Sequence, residues 1–396
     1  MRILFIVARF PYPPLQGDRL RAYHHIRELS RQHYITLVTP KIESNREGNL
    51  KSICPFCEQI EIVSIPFWRR ILRLGRVPFT SLPLQTLYFF DSRFRQRVNS
   101  LLLQRTFDIV HVQLVRMAPV LDTSGDIPKV IDFIDALSLN MARRARRERG
   151  LVAWIAAFEA QRLQHYEQEL TRKYDQLIVS SPLDRDAIGS YDNIHVIPNG
   201  VDIKAYPYNE NGREPGMIVF TGRMSYFPNA EAAIYFATHV FPLILRELPE
   251  ARFFIVGIDP PRRVRRLSRL PGVEVTGYVP NLPEYLARAS VAVAPLQAGS
   301  GIQNKVLEAM ASGAPVVATH YALGGIEAID GEHLLVSNDA EGLANQVVKL
   351  LKDPLLRRRL ARNARRLVEE KYTWDSTVKK LEQVYQLAIE RRNKNR

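Results

Sequence analysis

Along the chain, short unbroken apolar runs alternate with longer stretches in which apolar residues recur every three or four positions. The runs are ILFIVA (3–8), YITLVT (34–39), IEIVSI (60–65), DIVHVQ (108–113), KVIDFI (129–134), QLIVSS (176–181) and IHVIP (194–198). A second series follows: MIVFTG (217–222), RFFIVG (252–257), VEVTGY (273–278), VAVAPL (291–296), PVVAT (315–319) and LLVS (334–337). Several are continuous in Val, Ile and Leu, the pattern of strands covered on both faces in a parallel sheet. The stretches between them include 17–32, 154–173, 229–247, 303–312, 340–352 and 355–371, and their periodicity predicts helices. Alternation of this kind predicts α/β domains of the doubly wound type.

At IPNGVDIKAYPYNENGREPG (197–216) the periodicity lapses and Asn, Gly and Pro cluster, as in a linker. The chain therefore divides into a Rossmann-like domain at 1–200, a second at 201–375, and a helix at 376–396 that is expected to pack back on the first. Two domains of roughly 200 residues suit a chain of 396 better than one core. Open α/β sheets take ligands at the carboxyl ends of their strands, so the chemistry is expected in a cleft formed by two such edges.

Charge changes this picture. The chain has 55 Lys and Arg against 41 Asp and Glu, a formal net charge of +14. Such a surplus serves nucleic acid, an anionic membrane or phosphorylated substrates. Residues 67–105 hold eight arginines and one acid, Asp91, and RRARRER at 143–149 adds five arginines against one glutamate. Each run alone reads as a solvated basic face. In FWRRILRLGRVPF, however, Arg69, Arg70 and Arg73 sit among Trp68, Ile71, Leu72 and Phe79, which points to an anionic membrane surface. The two cysteines, Cys54 and Cys57 in CPFC, have no second pair to complete a zinc site and read as reduced thiols of a cytosolic protein. The opening MRILFIVARF is too short and too charged for a signal peptide, and no apolar run reaches the ~18 residues of a spanning helix. The protein is expected in the cytoplasm, either free or peripheral on the inner face of the plasma membrane.

Candidate chemistry concentrates in the second domain. VFTGRMSYFPNAEAA places Gly222 and Arg223 directly after a strand, with Asn229 as candidate cap of the next helix. A guanidinium at that edge suits a phosphate, although an arginine merely exposed in a loop would look the same. VAVAPLQAGSGIQNKVLEAM reads as strand, glycine-rich turn and helix. Gly299 and Gly301, either side of Ser300, let the backbone approach a ligand. The free N–H groups near Ile302 and Gln303 point at it with the positive end of the helix. Lys305 adds a point charge, and Glu308 lies one turn on, on the same face. A carboxylate repels phosphate but accepts hydrogen bonds from ribose hydroxyls. Together these residues describe a site for a nucleoside diphosphate.

GRMSYFPNAEA, FFIVG, VEVTGYVPNLPEYLARASVAVAPL, GSGIQNKVLEAMASGAPVVAT and GIEAIDGEHLLV resemble the family 4 retaining glycosyltransferases, which have the two-domain GT-B architecture. RFPYPPLQGDRLRAYHHIREL and VIDFIDALSLNMAR resemble the branch associated with bacterial exopolysaccharide systems. The resemblance covers nearly the whole chain and implies an acceptor-binding first domain and a donor-binding second. It implies that Arg223 and Lys305 hold the donor diphosphate and that Glu308, the second glutamate of an E-x7-E motif, binds the ribose. Ser300 stands where the first glutamate is expected, and Pro228 and Asn229 stand where many members carry a second basic residue. Lys305 restores that charge from the other loop. Gly17 matches the glycine turn after the first strand. Asp135 stands where many members have a histidine, and would bind a sugar hydroxyl or assist deprotonation.

The mechanism implied is transfer with retention, helped by cations and helix N–H groups that stabilise charge on the leaving diphosphate, with no metal and no other cofactor. Asp184 and Asp186, in LDRD, superficially match a metal-binding pair, but their place at a helix start reads as capping and surface charge. His111 is placed at a strand end, either lining the cleft or held in the core, while His195 and His333 have weaker claims. The function implied is transfer of a sugar from a nucleoside-diphosphate sugar to a lipid-linked or polysaccharide acceptor. Alternatives are a nucleotide-sugar epimerase of the same fold, disfavoured by scarce cleft carboxylates, and a degenerate binding or scaffold protein, kept open by Ser300. A nucleic-acid binder rests on net charge alone, and no such partner is expected.

Overall fold

In a computed structural model the described residues are 1–40, 46–65, 71–73, 75, 80–121, 125–298 and 301–394. They form two compact units, Met1–Pro198 with Thr377–Arg396, and Asn199–Ser376. Unit 1 holds strands β1 (Arg2–Ile6), β2 (Tyr34–Pro40), β3 (Gln59–Val63), β4 (Ile109–Gln113), β5 (Lys129–Ile134), β6 (Gln176–Val179) and β7 (Ile194–Val196). Unit 2 holds β8 (Glu214–Thr221), β9 (Arg252–Val256), β10 (Val273–Gly277), β11 (Ala289–Ala294), β12 (Val316–Ala318) and β13 (Leu335–Val336). Every predicted run coincides with one of these strands.

The first sheet has the order β3-β2-β1-β4-β5-β6-β7 and the second β10-β9-β8-β11-β12-β13. The pairs are parallel throughout, for example Phe5 beside Leu37 and His111, and Val219 beside Phe254 and Ala292. In each unit the chain starts in the middle, winds one way, then returns to wind the other. The reversal falls between β1 and β4 in unit 1 and between β8 and β11 in unit 2, which fixes where each sheet can take a ligand. β4, β5 and β11 are buried at every position, which is why the sequence shows unbroken apolar runs there.

The predicted helix over 229–247 is two helices, Phe227–Tyr235 and Phe241–Glu247, joined by a π turn at Phe236–Val240. Pro242 is the cause: it has no N–H for the preceding turn, and Phe241 N–H bonds back to the Phe236 carbonyl instead. Asn229 does not cap this segment. Tyr226 holds the cap position without a side-chain bond, and the Asn229 amide is used elsewhere.

The last helix, Trp374–Lys394, returns to unit 1. Val378, Leu381, Val384, Tyr385 and Ala388 recur at helical spacing and pack with Ile3, Phe5, Ile109, Val130 and Ile178 on one face of the sheet. This covering corrects the placement of His111 beside a cleft. His111 lies in the middle of β4, fully buried and stacked on Phe5 at 4.2 Å, with Nδ1 2.8 Å from the Tyr385 hydroxyl. Burial pushes its imidazole down to about 4. His25 and Asp132 converge on it, but Asp132 is already held by Arg21 at 2.6 Å and by the Ile134 N–H at 3.0 Å.

Two other expectations change. Asp184 is not a surface charge: it is buried and accepts the Ala136 N–H at 2.9 Å, whereas Asp186 is exposed beside Arg185. Arg73 is not a free cation for a membrane, because its guanidinium is held by the Phe90 carbonyl and the buried Asp91 carboxylate. Arg69 and Arg70 lie outside the described residues. Both cysteines are free, and burial pushes the Cys57 thiol up to about 12.

Candidate functional site

The strongest site lies at the switch point of the second sheet. β8 ends at Thr221 and turns through Gly222 and Arg223, while β11 ends at Ala294 and leads through Gly301 into the helix Asn304–Ala311. Gly222 (φ +156°) and Gly257 (φ +155°) press the ends of β8 and β9 together: a Cβ on Gly257 would sit 1.7 Å from the Gly222 carbonyl oxygen. A Cβ on Gly222 would meet the Asn229 amide at 2.7 Å and the Lys305 Cε at 3.4 Å. Glycine at 222 therefore lets the turn touch the side chains it must position.

Lys305 is the centre of the arrangement. Its Nζ donates to Asn229 Oδ1 and to Gln303 Oε1, each at 3.0 Å, and lies 5.9 Å from the Phe220 ring centroid. Asn229 also donates its Nδ2 to the Arg223 carbonyl at 3.0 Å, so one amide ties the lysine to the β8 turn. Burial lowers the Lys305 ammonium to about 8, with Glu308 opposing part of the fall. Glu308, one turn on, is raised by burial, and Lys305 and the Tyr206 hydroxyl work against that rise. One of its acceptor positions is thus already occupied by Tyr206.

Gln303 caps the helix without a side-chain cap bond, its amide being taken by Lys305 and by the Gly301 carbonyl at 3.4 Å. The Val306 N–H is taken by the Gln303 carbonyl at 2.9 Å, and the helix start, without a side-chain cap, presents the positive end of the helix to the turn. Gly301 has φ +65° and Ile302 is buried. Gly299 and Ser300 lie outside the described residues. Arg223 stands at the strand end as the sequence predicts, with its guanidinium 2.9 Å from Asp259 Oδ2 and its Nε 2.9 Å from the Ser225 hydroxyl. Asp259 and Tyr206, together with the side-chain roles of Asn229 and Gln303, are what sequence reasoning did not assign to this site. Only the coincidence of polar residues with strand ends could have marked them.

In unit 1, Gly17 opens the helix Gly17–Leu29 that follows β1, and among the described residues no non-neighbouring atom lies within 4 Å of where its Cβ would be. Asp135 follows β5 directly and accepts a hydrogen bond from the Ser180 hydroxyl at 3.1 Å. Burial and the neighbouring Asp184 raise its carboxyl well above the usual range. Ile134 before it has φ +66°, a left-handed conformation that a β-branched residue strongly disfavours. The Ser180 N–H holds that backbone through the Ile134 carbonyl at 2.6 Å. Strain maintained at a strand end directs Asp135 away from the ordinary strand path. His195 is bonded to Gln176 at 2.7 Å, and His333 accepts the Ile329 N–H at 3.1 Å, so both serve local structure.

Two doubly wound parallel domains, the second with a glycine turn, a half-buried lysine and a helix start without a side-chain cap at its switch point, define the GT-B class of glycosyltransferases. The chain belongs to the family 4, or group 1, glycosyltransferases: residues 20–205 match the model described as Glycosyltransferase Family 4, and residues 215–353 match Glycosyl transferases group 1. It is 29% identical over 303 residues to glycogen synthase of Mycobacterium tuberculosis, covering 70% of this chain and 68% of that one. It is 32% identical over 165 residues to an exopolysaccharide phosphotransferase of Streptomyces coelicolor, covering 40% of this chain and 17% of that one. The fold is shared with the crystal structure of Anabaena HepE in complex with UDP and glucose, at a TM-score of 0.66 and 16% identity, over 98% of this chain and 99% of that one.

Proposed function

We propose that the protein transfers a sugar, with retention, from a nucleoside-diphosphate sugar to a lipid-linked or polysaccharide acceptor in cell-surface or exopolysaccharide synthesis, and that it does so without a metal. The observation that carries this reading is Lys305, half-buried and tethered to the β8 turn through Asn229 at the start of a helix. Its ammonium and the helix N–H groups supply preorganised positive charge where a leaving diphosphate gains negative charge. Arg223 exchanges Asp259 for a phosphate oxygen, and Glu308 receives the ribose. The diphosphate oxygen then takes the proton of the acceptor hydroxyl. Asp135, with its raised carboxyl, hydrogen-bonds a donor-sugar hydroxyl. The exopolysaccharide setting draws support from the Streptomyces relative, and a membrane partner from the basic surface of unit 1.

The test is a thermal-shift series with UDP, GDP, ADP and their sugar conjugates. A ligand that binds only the folded state raises the melting temperature by mass action. One nucleotide is expected to raise it, and the Lys305→Ala variant is expected not to respond. No shift with any nucleotide would overturn the donor reading.

A further inference from the structure

In unit 1 the helices Leu137–Arg147 and Gly150–Lys173 pack against each other as a hairpin. Helix Gly150–Lys173 has its own buried stripe, including Ala156, Glu159, Ala160, Leu163, Tyr166 and Leu170. It is anchored to the unit by Glu159, which accepts the Leu84 and Gln85 N–H groups at 2.8 and 3.0 Å. Packing is therefore satisfied without the residues of its first turn and a half.

Those residues are large, apolar and in water: Leu151 is 72% exposed, Val152 45%, Trp154 64% and Ile155 42%. Trp154 stacks on Phe158 of its own helix at 5.7 Å, which braces the ring outside the core. Immediately before them Arg144, Arg146, Arg147 and Arg149 are exposed. The one acid among them, Glu148, lies 3.7 Å from Arg144. The first turn of the helix carries no acidic residue, so its positive end adds to the arginines. A group of bulky apolar side chains left exposed at a helix tip marks an interaction surface. Its arginine border is complementary to anionic headgroups rather than to water.

We propose that this hairpin tip docks the protein on an anionic bilayer, with Leu151, Val152, Trp154 and Ile155 in the headgroup layer and the arginines on lipid phosphates. The inference rests on the reading of a lipid-borne acceptor and gives it a location. The hairpin leaves the sheet just after Asp135, and its first helix of 11 residues spans about 16 Å at 1.5 Å per residue, so the tip stands a short distance from that carboxylate.

The full-length protein would be sedimented with phosphatidylglycerol-containing and with pure phosphatidylcholine vesicles, at low and high salt. Binding to the anionic vesicles, weakened by salt, is expected. Two variants, Leu151→Ser with Trp154→Ser and the four arginines replaced by glutamine, are each expected to reduce partitioning about tenfold or more. Brominated lipid is expected to quench tryptophan emission in the wild type and much less in Trp154→Phe. These positions are exposed, so melting temperature and the nucleotide-induced shift should stay at wild-type values. Equal binding to neutral vesicles, unchanged binding in either variant, or self-association that the serine variant abolishes while vesicles go unbound would overturn the proposal. Vesicle binding with no nucleotide response would instead uphold the docking tip and remove the donor reading.

Discussion

Lys305 sits near its own titration point. An ammonium lowered to about 8 is charged at pH 7 and loses its proton as pH rises through that value. A neutral amine cannot offset a phosphate, so affinity for a nucleoside diphosphate should be flat from pH 7 to 7.5 and decline above 8. Calorimetry between pH 7 and 9.5 checks this, and a flat profile would remove Lys305 from the phosphate. In Lys305→Ala the slope should disappear and affinity at pH 7 should fall roughly 10–100-fold, since a hydrogen bond to a charged group contributes about 1.5–3 kcal/mol. The sequence showed Lys305 and Glu308 because both lie within one turn of a glycine-opened helix. It could not show Asn229 as their partner: residues 229 and 305 are 76 positions apart, and the local pattern of a polar residue near a helix start suggests a cap. The long-range bond won because a half-buried ammonium needs an acceptor more than this helix start needs a capping side chain.

At the scale of the element, strands were more legible than the turns between them. A strand covered on both faces must be apolar at every position, so its sequence carries its environment. A turn is shaped by what presses on it. The Gly301 turn is pressed by Gly324, where a Cβ would approach the Gly301 oxygen to 1.9 Å and where φ is +56°. Gly324→Ala should therefore displace the turn, lowering both melting temperature and nucleotide affinity. Gly331 is the control: its φ is +75°, but among the described residues no non-neighbouring atom lies within 4 Å of its would-be Cβ. Gly331→Ala should show only the left-handed backbone penalty of roughly 1–2 kcal/mol and unchanged affinity. Equal affinity losses in the two variants would argue against the contact. The π turn at Phe236–Val240 was legible in principle, since Pro242 interrupts an otherwise helical pattern.

At the scale of the whole molecule, the two sheets and the break near residue 200 could be read from the alternation of runs. The surroundings of His111 could not. Its strand looks like any buried strand, and the cover comes from Tyr385, 274 positions later. Tyr385→Phe removes the hydrogen-bond partner of His111 Nδ1 and should lower stability by about 1–3 kcal/mol without changing nucleotide affinity, because the pair belongs to unit 1. A variant as stable as the wild type in a denaturation series would show that the hydroxyl is dispensable. The exposed tip at Leu151–Ile155 was hidden from the sequence for a similar reason. Charge marked 143–149 as well as 67–105, and arginines among bulky apolar residues pointed to 67–79, whereas exposure at Leu151–Ile155 depends on which side of a helix the core has already taken.

The return of the last helix to unit 1 also has a temporal consequence. Unit 2 is one uninterrupted segment and can close as soon as it leaves the ribosome. Unit 1, though begun first, waits with the Ile3, Phe5 and Ile109 face of its sheet open until Thr377–Arg396 has been made. During translation the half that emerges first is thus the half that matures last, and a nascent chain stalled before residue 377 would present that apolar face to chaperones.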